Sequence, residues 1–147
     1  MKNSFLKVLS FDLVRQNIKL KNNSVNWLKL IFLLRKRSVR VVFLLRCSLL
    51  RVPIISFLAS LFLRRRYGIE ISKECEIGVG VFFPHPRDII IGPGSRLGNN
   101  VSIAQGVTIG GNQKKCRLEN NTKVFEPVIG DDIWIGPNSV IGGPVCI

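Results

Sequence analysis

A single histidine stands between two prolines in the stretch FFPHPRDIIIG, residues 82–92. Histidine is the side chain whose charge changes near neutral pH, and it is the usual choice for moving a proton in catalysis. His85 is the only histidine in the 147 residues. A loop histidine without function is the simpler interpretation, so the sequence around it has to decide between the two.

A six-residue repeat runs through that histidine from residue 69 to the last residue. In frame the chain reads ISKECE, IGVGVF and FPHPRD, then, after a two-residue insertion that we place at Ile89–Ile90, IGPGSR, LGNNVS and IAQGVT. The frame breaks and then resumes with IGDDIW, IGPNSV and IGGPVC. Position one is aliphatic or Phe, position two is often glycine, and position five is usually small or β-branched.

This period predicts a parallel β-helix. A short strand followed by a sharp corner needs an inward apolar residue at one fixed position, with a flexible residue beside it. Three such strands make a triangular coil of about 18 residues, and the coils stack at the spacing of neighbouring strands. A β-sandwich would instead show turn signals every 8–12 residues without a strict six-residue frame.

The charge divides the chain into two parts. Residues 1–66 carry 15 Lys and Arg but one acidic residue, Asp12, whereas residues 67–147 carry 7 basic and 8 acidic residues. We therefore divide the chain into a basic, apolar helical arm, 1–66, and a β-helix domain, 67–147, with an inserted loop, 111–127. In the arm we expect a helix that ends near Leu50 and, after a break at Pro53, a second that runs to about Leu63.

Three interpretations of this arm stay open. Its helices could pack on the β-helix or on another subunit, with their arginines in water. Alternatively, the triple arginine Arg64–Arg66 and the earlier clusters could hold the arm on an anionic membrane surface. Its apolar blocks are too short to span a bilayer, which needs about 20 residues. Nucleic-acid binding is disfavoured because aromatic residues are sparse and no known motif is present.

The four cysteines predict no metal site. Their positions follow no CxxC spacing, so reduced thiols in a cytoplasmic protein are the better interpretation than a disulfide scaffold or a zinc site. They are Cys47, Cys75, Cys116 and Cys146.

The repeats resemble the left-handed β-helix hexapeptide-repeat acyltransferases, in particular the serine acetyltransferase branch and its relatives in surface-polysaccharide synthesis. The resemblance covers residues 64–147 and rests on GIEISKECEIGVGVFFPHP, DIIIGPGSRLGNNVSIAQGVTIGG and PVIGDDIWIGPNSVIGG. It implies the left-handed sense of the coil. It also implies acetyl-CoA as co-substrate and a homotrimer, with active sites between neighbouring prisms.

The resemblance assigns roles to individual residues. His85 matches the general base that takes a proton from the acceptor hydroxyl, and Glu70 matches the carboxylate that orients it. With 18 residues per coil, residue 88 is expected to stack over Glu70. Gly110, Gly111 and Trp134 are the expected contacts to acetyl-CoA, although the glycines could simply turn the chain and Trp134 could pack on another subunit. Arg117 and Asn112, in the inserted loop, are the expected contacts to the acceptor.

Two departures from serine acetyltransferases bear on the acceptor. Pro84 occupies the place of an aspartate that recognises the serine ammonium group, and the inserted loop lacks the family's second histidine. We therefore expect acetyl transfer to a sugar hydroxyl in a cell-surface polysaccharide precursor, with serine as the alternative acceptor. The repeat stops at Ile147, one residue into a hexamer, which predicts a truncated chain and leaves a non-catalytic scaffold as a further alternative.

The expected location follows from the arm and the acceptor together. A cytoplasmic protein in peripheral contact with the inner face of the membrane would meet lipid-linked precursors there. The polar loop 111–127 is expected to reach across a subunit boundary of the trimer.

Overall fold

A computed structural model describes residues 2–16, 18, 30, 33–50 and 52–147. Among these described residues, three helices, α1 (Lys2–Arg15), α2 (Arg37–Ser48) and α3 (Pro53–Tyr67), precede a series of short strands. Arg51 and most of the segment between α1 and α2 lie outside the described residues. Within the described part of the chain, no helix has both the length and the apolar content needed to cross a bilayer.

The break expected at Pro53 is present. Pro53 begins α3 at its first turn, where its missing N–H costs nothing and its fixed φ suits a helix. The helix continues to Tyr67, four residues beyond the predicted end at Leu63. Gly68 then ends it at φ 66°, donating its N–H to Arg64 O at 3.0 Å, while Ile69 donates to Leu63 O at 3.2 Å. This left-handed glycine cap turns the chain from the helix into the first coil.

The strands that follow are two or three residues long. In chain order they are β1 (Glu70–Ile71), β2 (Glu76–Ile77), β3 (Ile90–Ile91), β4 (Arg96–Leu97), β5 (Ser102–Ile103), β6 (Thr108–Gly110), β7 (Arg117–Glu119), β8 (Thr122–Val124), β9 (Val128–Ile129), β10 (Trp134–Ile135) and β11 (Val140–Gly142).

These strands form three parallel faces of a prism. The first face has the order β1-β3-β6-β11, the second β2-β4-β9, and the third pairs β5 with β10. Phe82 extends the third face by a parallel bridge to Ser102. The chain visits the faces in turn, as a β-helix requires, and the predicted fold is confirmed.

The first position of the repeat points inward, as predicted. Phe83, Ile91, Ile103, Ile109, Ile129 and Ile135 are all buried. Residues of the arm, among them Leu9, Leu13 and Leu45, belong to the same buried apolar cluster as Ile69, Val81 and Phe83. The arm and the β-helix therefore share one core, which agrees with the interpretation that the helices pack on the β-helix.

A buried ion pair joins the arm to the first coil. Asp12 of α1 is fully buried and receives Nε and Nη2 of Arg46 from α2 at 2.6 and 3.0 Å. Asp12 Oδ1 also accepts the backbone N–H groups of Gly80 and Val81 at 2.7 and 3.1 Å. Arg46 donates to Ile77 O at 3.0 Å and Gly78 O at 2.5 Å. Main-chain groups of the first coil thus find partners in the helices, which cover that end of the β-helix.

The two extra residues of the first coil lie elsewhere than the sequence suggested. Phe82 pairs with Ser102 at a separation of 20 residues, and Ile90 pairs with Thr108 at 18. Phe82 O also accepts from Ile103 N, and Arg87 O accepts from Gly106 N. The extra residues therefore fall within 84–87, and the placement at Ile89–Ile90 is wrong. As a consequence, Ile90 pairs with Glu70, and the expected stacking of residue 88 over Glu70 is also wrong.

The inserted loop 111–127 contains a small antiparallel hairpin. Strand β7 pairs with β8 around Asn120 and Asn121, both at positive φ of 49° and 61°. Arg96 of β4 forms an ion pair with Glu119 of the hairpin, which ties the hairpin to the second face.

Candidate active site

His85 lies on an enlarged corner between the third and first faces. At this corner the backbone turns through left-handed φ at Gly68, Asp88, Gly106 and Asn138 in successive layers. Asp88 N donates to Tyr67 O at 2.9 Å, Gly106 N to Arg87 O at 3.0 Å and Asn138 N to Gln105 O at 2.9 Å, which stacks the layers. The segment 84–87, which holds the two extra residues, protrudes from this column, and its His85 side chain is exposed.

Glu70 makes an ion pair with the arm. Its Oε1 accepts Arg64 Nε of α3 at 3.0 Å, and both side chains are largely exposed. Among the hydrogen bonds of the described residues, none joins Glu70 to His85. Glu70 lines an open cleft of about 430 Å³ between α3 and the first face, and His85 is outside that cleft. The orienting role of Glu70 therefore stays a prediction, and it requires the carboxylate to leave Arg64.

A strip of bare backbone runs along the far edge of the first face. Gly92, directly after β3, is followed in register by Gly110 of β6 and Gly142 of β11. A Cβ added at Gly110 or Gly142 would meet no atom within 4 Å, so a side chain would project into open space. The strip therefore leaves open space against the main chain, although Gly92 N already donates to Ile109 O and Gly110 O already accepts Gly143 N. The turn at Gly111 is tighter, since a Cβ there would lie 3.2 Å from Phe125 O.

The predicted acceptor contacts already have partners within the chain. Arg117 donates to Pro144 O at 2.7 Å and to Glu119 Oε2 at 3.3 Å, and Asn112 Oδ1 accepts Lys114 N at 3.0 Å. Glu119 also receives Arg96, and hydrogen bonds from Arg96 and then Arg117 lower the pKa of its carboxyl group. These contacts order the hairpin, so an acceptor role for Arg117 would require it to exchange partners.

Trp134 lies on the outer surface of the third face. It pairs with Ser102 in the neighbouring strand, and its indole is 65% exposed. A Cβ at Gly136 would come within 3.2 Å of the indole, so the glycine leaves room for the ring to lie against the chain. The expected contact of Trp134 with acetyl-CoA stays a prediction.

The chain does not gather its predicted site residues in one place. His85 precedes β3, whereas Gly110 and Gly111 end β6 and begin the inserted loop, so they lie at opposite edges of the first face. The five residues from Asp88 to Gly92 make four extended steps, which separate those edges by about 13 Å. Trp134 lies on a different face.

Two polar residues at the His85 corner were missed in the sequence. Gln105 lies in the layer next to the protruding segment, and its buried Oε1 has no hydrogen-bond partner. Asp88 occupies a left-handed position that glycine takes in the layers on either side. An assignment of the extra residues to 84–87 would have aligned Asp88 with Gly106 and revealed both. No group of three metal-binding side chains occurs among the residues that the structure describes.

Sequence relatives of the chain are serine acetyltransferases. The chain is 30% identical to the serine acetyltransferase of Synechocystis sp. over 124 residues. This alignment covers 83% of this chain and 47% of the relative. The chain is 36% identical over 80 residues to the serine acetyltransferase of Staphylococcus xylosus, covering 54% of this chain and 34% of the relative. The chain thus spans half or less of these curated relatives. No family model matches it.

Solved structures of serine acetyltransferases share the fold of the chain. Serine acetyltransferase from Neisseria gonorrhoeae, in complex with serine, superposes with a TM-score of 0.71 at 24% identity, over 98% of this chain and 57% of that one. Isoform 3 from Entamoeba histolytica, in complex with cysteine, gives 0.68 at 19% identity, over 99% and 50%. A serine acetyltransferase in complex with CoA gives 0.65 at 21% identity, over 96% and 55%.

The fold and the repeat together define a left-handed parallel β-helix of hexapeptide repeats, as found in acyltransferases. Within that class the chain is similar in sequence and in fold to serine acetyltransferases, which confirms the resemblance seen in its repeats.

Proposed function

We propose that the chain provides the catalytic β-helix of an acetyl-CoA-dependent O-acetyltransferase, with His85 as general base. The observation that carries this proposal is the enlarged corner at 84–87, which presents the only histidine of the sequence outward from the β-helix. A structural histidine would have no need of a protruding corner. The similarity to serine acetyltransferases supports the same assignment.

The proposed reaction balances around that imidazole. One ring nitrogen of His85 takes the proton of the acceptor hydroxyl. At the same time the hydroxyl oxygen of the acceptor attacks the thioester carbonyl carbon of acetyl-CoA. The C–S bond then breaks, the thiolate of CoA leaves, and the imidazolium returns the proton to it. Backbone N–H groups beside the glycine strip would stabilise the charge that develops on the carbonyl oxygen.

For the acceptor we propose serine. The sequence favoured a sugar because Pro84 lacks the charge to recognise an ammonium group. The relatives and structural neighbours named above are serine acetyltransferases, one of them in complex with serine, and they support the alternative better. Asp88, on the same corner and exposed, is a carboxylate that could face an ammonium group in place of the missing aspartate.

The active sites are proposed to lie between the prisms of a homotrimer. The opposite positions of His85 and Gly110 on the first face support this arrangement, because a single chain leaves each half of the site without the other. Light scattering should then give three times the 16.5 kDa of the chain. A stable monomer that retains full activity would contradict the shared site.

The function is tested by acetyl transfer from acetyl-CoA, with released CoA measured by chromatography. Serine should support faster release than sugars with free hydroxyl groups, whereas a preferred sugar would overturn the acceptor but not the chemistry. His85→Ala should lower the rate by about 10²–10⁴-fold. His85→Gln, which retains a polar side chain, should be equally impaired, and full activity in either folded variant would refute the general-base role.

A further inference from the structure

Helix α3 exposes most of its large apolar side chains and buries only one narrow face. The face packed on the protein consists of Ser56, Ala59, Leu63 and Tyr67. The exposed face carries Ile54, Ile55, Phe57, Leu58 and Phe62, of which Ile54 is 73% and Phe57 is 61% exposed. This inverts the pattern of an ordinary surface helix, whose apolar stripe faces the core. Large contiguous apolar patches on a protein surface mark a binding site for a protein, a membrane or a ligand.

The same face ends in positive charge. Leu58, Leu61 and Phe62 line a shallow cleft of about 460 Å³ together with Arg65 and Arg66. Arg64 is held by Glu70, whereas Arg66 lies over the ring of Tyr67 at 5.7 Å, which positions its guanidinium at the end of the cleft. An apolar groove closed by two guanidinium groups matches an amphiphile with an anionic phosphate head and hydrocarbon chains.

A second copy of this chain fits the face less well. The only acidic residue of the arm, Asp12, is buried against Arg46, and residues 1–66 carry 15 basic side chains. Two α3 faces brought together would combine the positive charge of both arms, and neither helix carries a carboxylate to compensate it.

We propose that the exposed face of α3 is a docking surface for the anionic lipid interface of a membrane. The helix would lie in the plane of the interface, with Ile54, Phe57, Leu58 and Phe62 among the acyl chains and Arg65 and Arg66 at the phosphate level. The opposite face of the helix, which carries the buried Ser56 and Tyr67, stays packed on the protein, so docking requires no unfolding. The β-helix begins directly after α3, so the β-helix and its His85 corner are held beside the membrane.

Vesicle flotation of the full chain tests the surface. The probes are vesicles of phosphatidylcholine alone and of phosphatidylcholine with about 30% phosphatidylglycerol, each at low and at high salt. Wild-type protein should float with the anionic vesicles, and high salt should reduce but not abolish its binding. Leu58→Gln with Phe62→Gln should lower the partition coefficient by about tenfold or more. Arg65→Gln with Arg66→Gln should lower it by about 10–30-fold at low salt only.

Matched controls separate this surface from general stickiness. Lys114→Gln with Lys115→Gln removes the same two charges from the inserted loop, and Leu118→Gln removes a side chain that is 70% exposed on the hairpin. Both controls should float like wild type. Equal binding to neutral and anionic vesicles, or loss in the controls as in the α3 variants, would overturn the proposal. So would a lower oligomeric mass of Leu58→Gln with Phe62→Gln without lipid, which would make the face a contact between copies.

Discussion

Asp12 shows how one residue can decide the relation between two parts of a chain. The arm carries 15 basic residues and only this one carboxylate, which forms a buried contact. Its carboxylate oxygens accept hydrogen bonds from Arg46 and from the backbone N–H groups of Gly80 and Val81. These two residues of the first coil lie only a few positions before His85. The contact therefore fixes α1, α2 and the approach to the candidate site at once.

Removal of Asp12 should be costly for this reason. Asp12→Ala leaves a buried guanidinium without its partner and two amides without an acceptor, and should lower the free energy of unfolding by about 3–5 kcal/mol. Asp12→Ala with Arg46→Leu removes the unpaired charge and should recover part of that loss. Urea unfolding of both variants measures it. Equal stability of wild type and Asp12→Ala would contradict a stabilising role for the buried contacts of Asp12.

The four cysteines should divide into two reactive and two inert thiols. Cys116 and Cys146 are exposed, whereas burial raises the pKa of Cys47 and Cys75 to about 11. At pH 8 only about one buried thiol in 1,000 is then a thiolate, the form that reacts. Iodoacetamide should label Cys116 and Cys146 in the native protein, and label all four in urea. Mass spectrometry of digested protein assigns the labels, and native labelling of Cys75 would contradict its burial.

The same shift gives the protein a stability that depends on pH. The unfolded thiols ionise near pH 8.5, while the folded ones keep their protons until about pH 11. Ionisation between those values lowers the free energy of the unfolded state relative to the folded state, so the free energy of unfolding decreases as the pH rises through them. A urea midpoint that is unchanged from pH 8 to 10.5 would rule out this linkage.

At the scale of elements, the hexapeptide frame identified the fold because each inward position repeats a single steric requirement. Ile91, Ile103 and Ile109 are interchangeable in the frame and are all buried. The same uniformity hid the insertion, since the three isoleucines of residues 89–91 accept the frame in more than one register. Only the hydrogen bonds of Arg87 and Phe82 place the extra residues beside His85.

Two other elements differ in how far the sequence could predict them. The hairpin had a readable signal, because Asn120 and Asn121 tolerate the positive φ of a two-residue turn. The ion pair of Asp12 with Arg46 had no such signal, since the two residues are 34 positions apart in the sequence and no local pattern connects them. The pairing of Glu70 with Arg64 was equally hidden, because it depends on the angle at which α3 meets β1.

At the scale of the whole molecule, the chain is arranged around its first face. The His85 corner forms one edge of that face and the glycine strip with the inserted loop forms the other, while α3 leaves the base of the prism with its apolar side outward. The proposed general base, the proposed co-substrate site and the proposed membrane-docking face thus lie on three separate parts of the surface. A trimer of such prisms would present all of them three times around one axis.

If each site takes His85 from one chain and the glycine strip from its neighbour, two inactive variants should complement each other. Gly110→Val should fold, because its side chain enters open space, yet it should obstruct the strip. His85→Ala lacks the base but has an intact strip. Random trimers of the two would hold one working site in about four, so a refolded equal mixture should regain about one quarter of wild-type activity. The two variants refolded separately and then combined, without exchange of chains, provide the control. A mixture as inactive as its parents would show that each site belongs to a single chain.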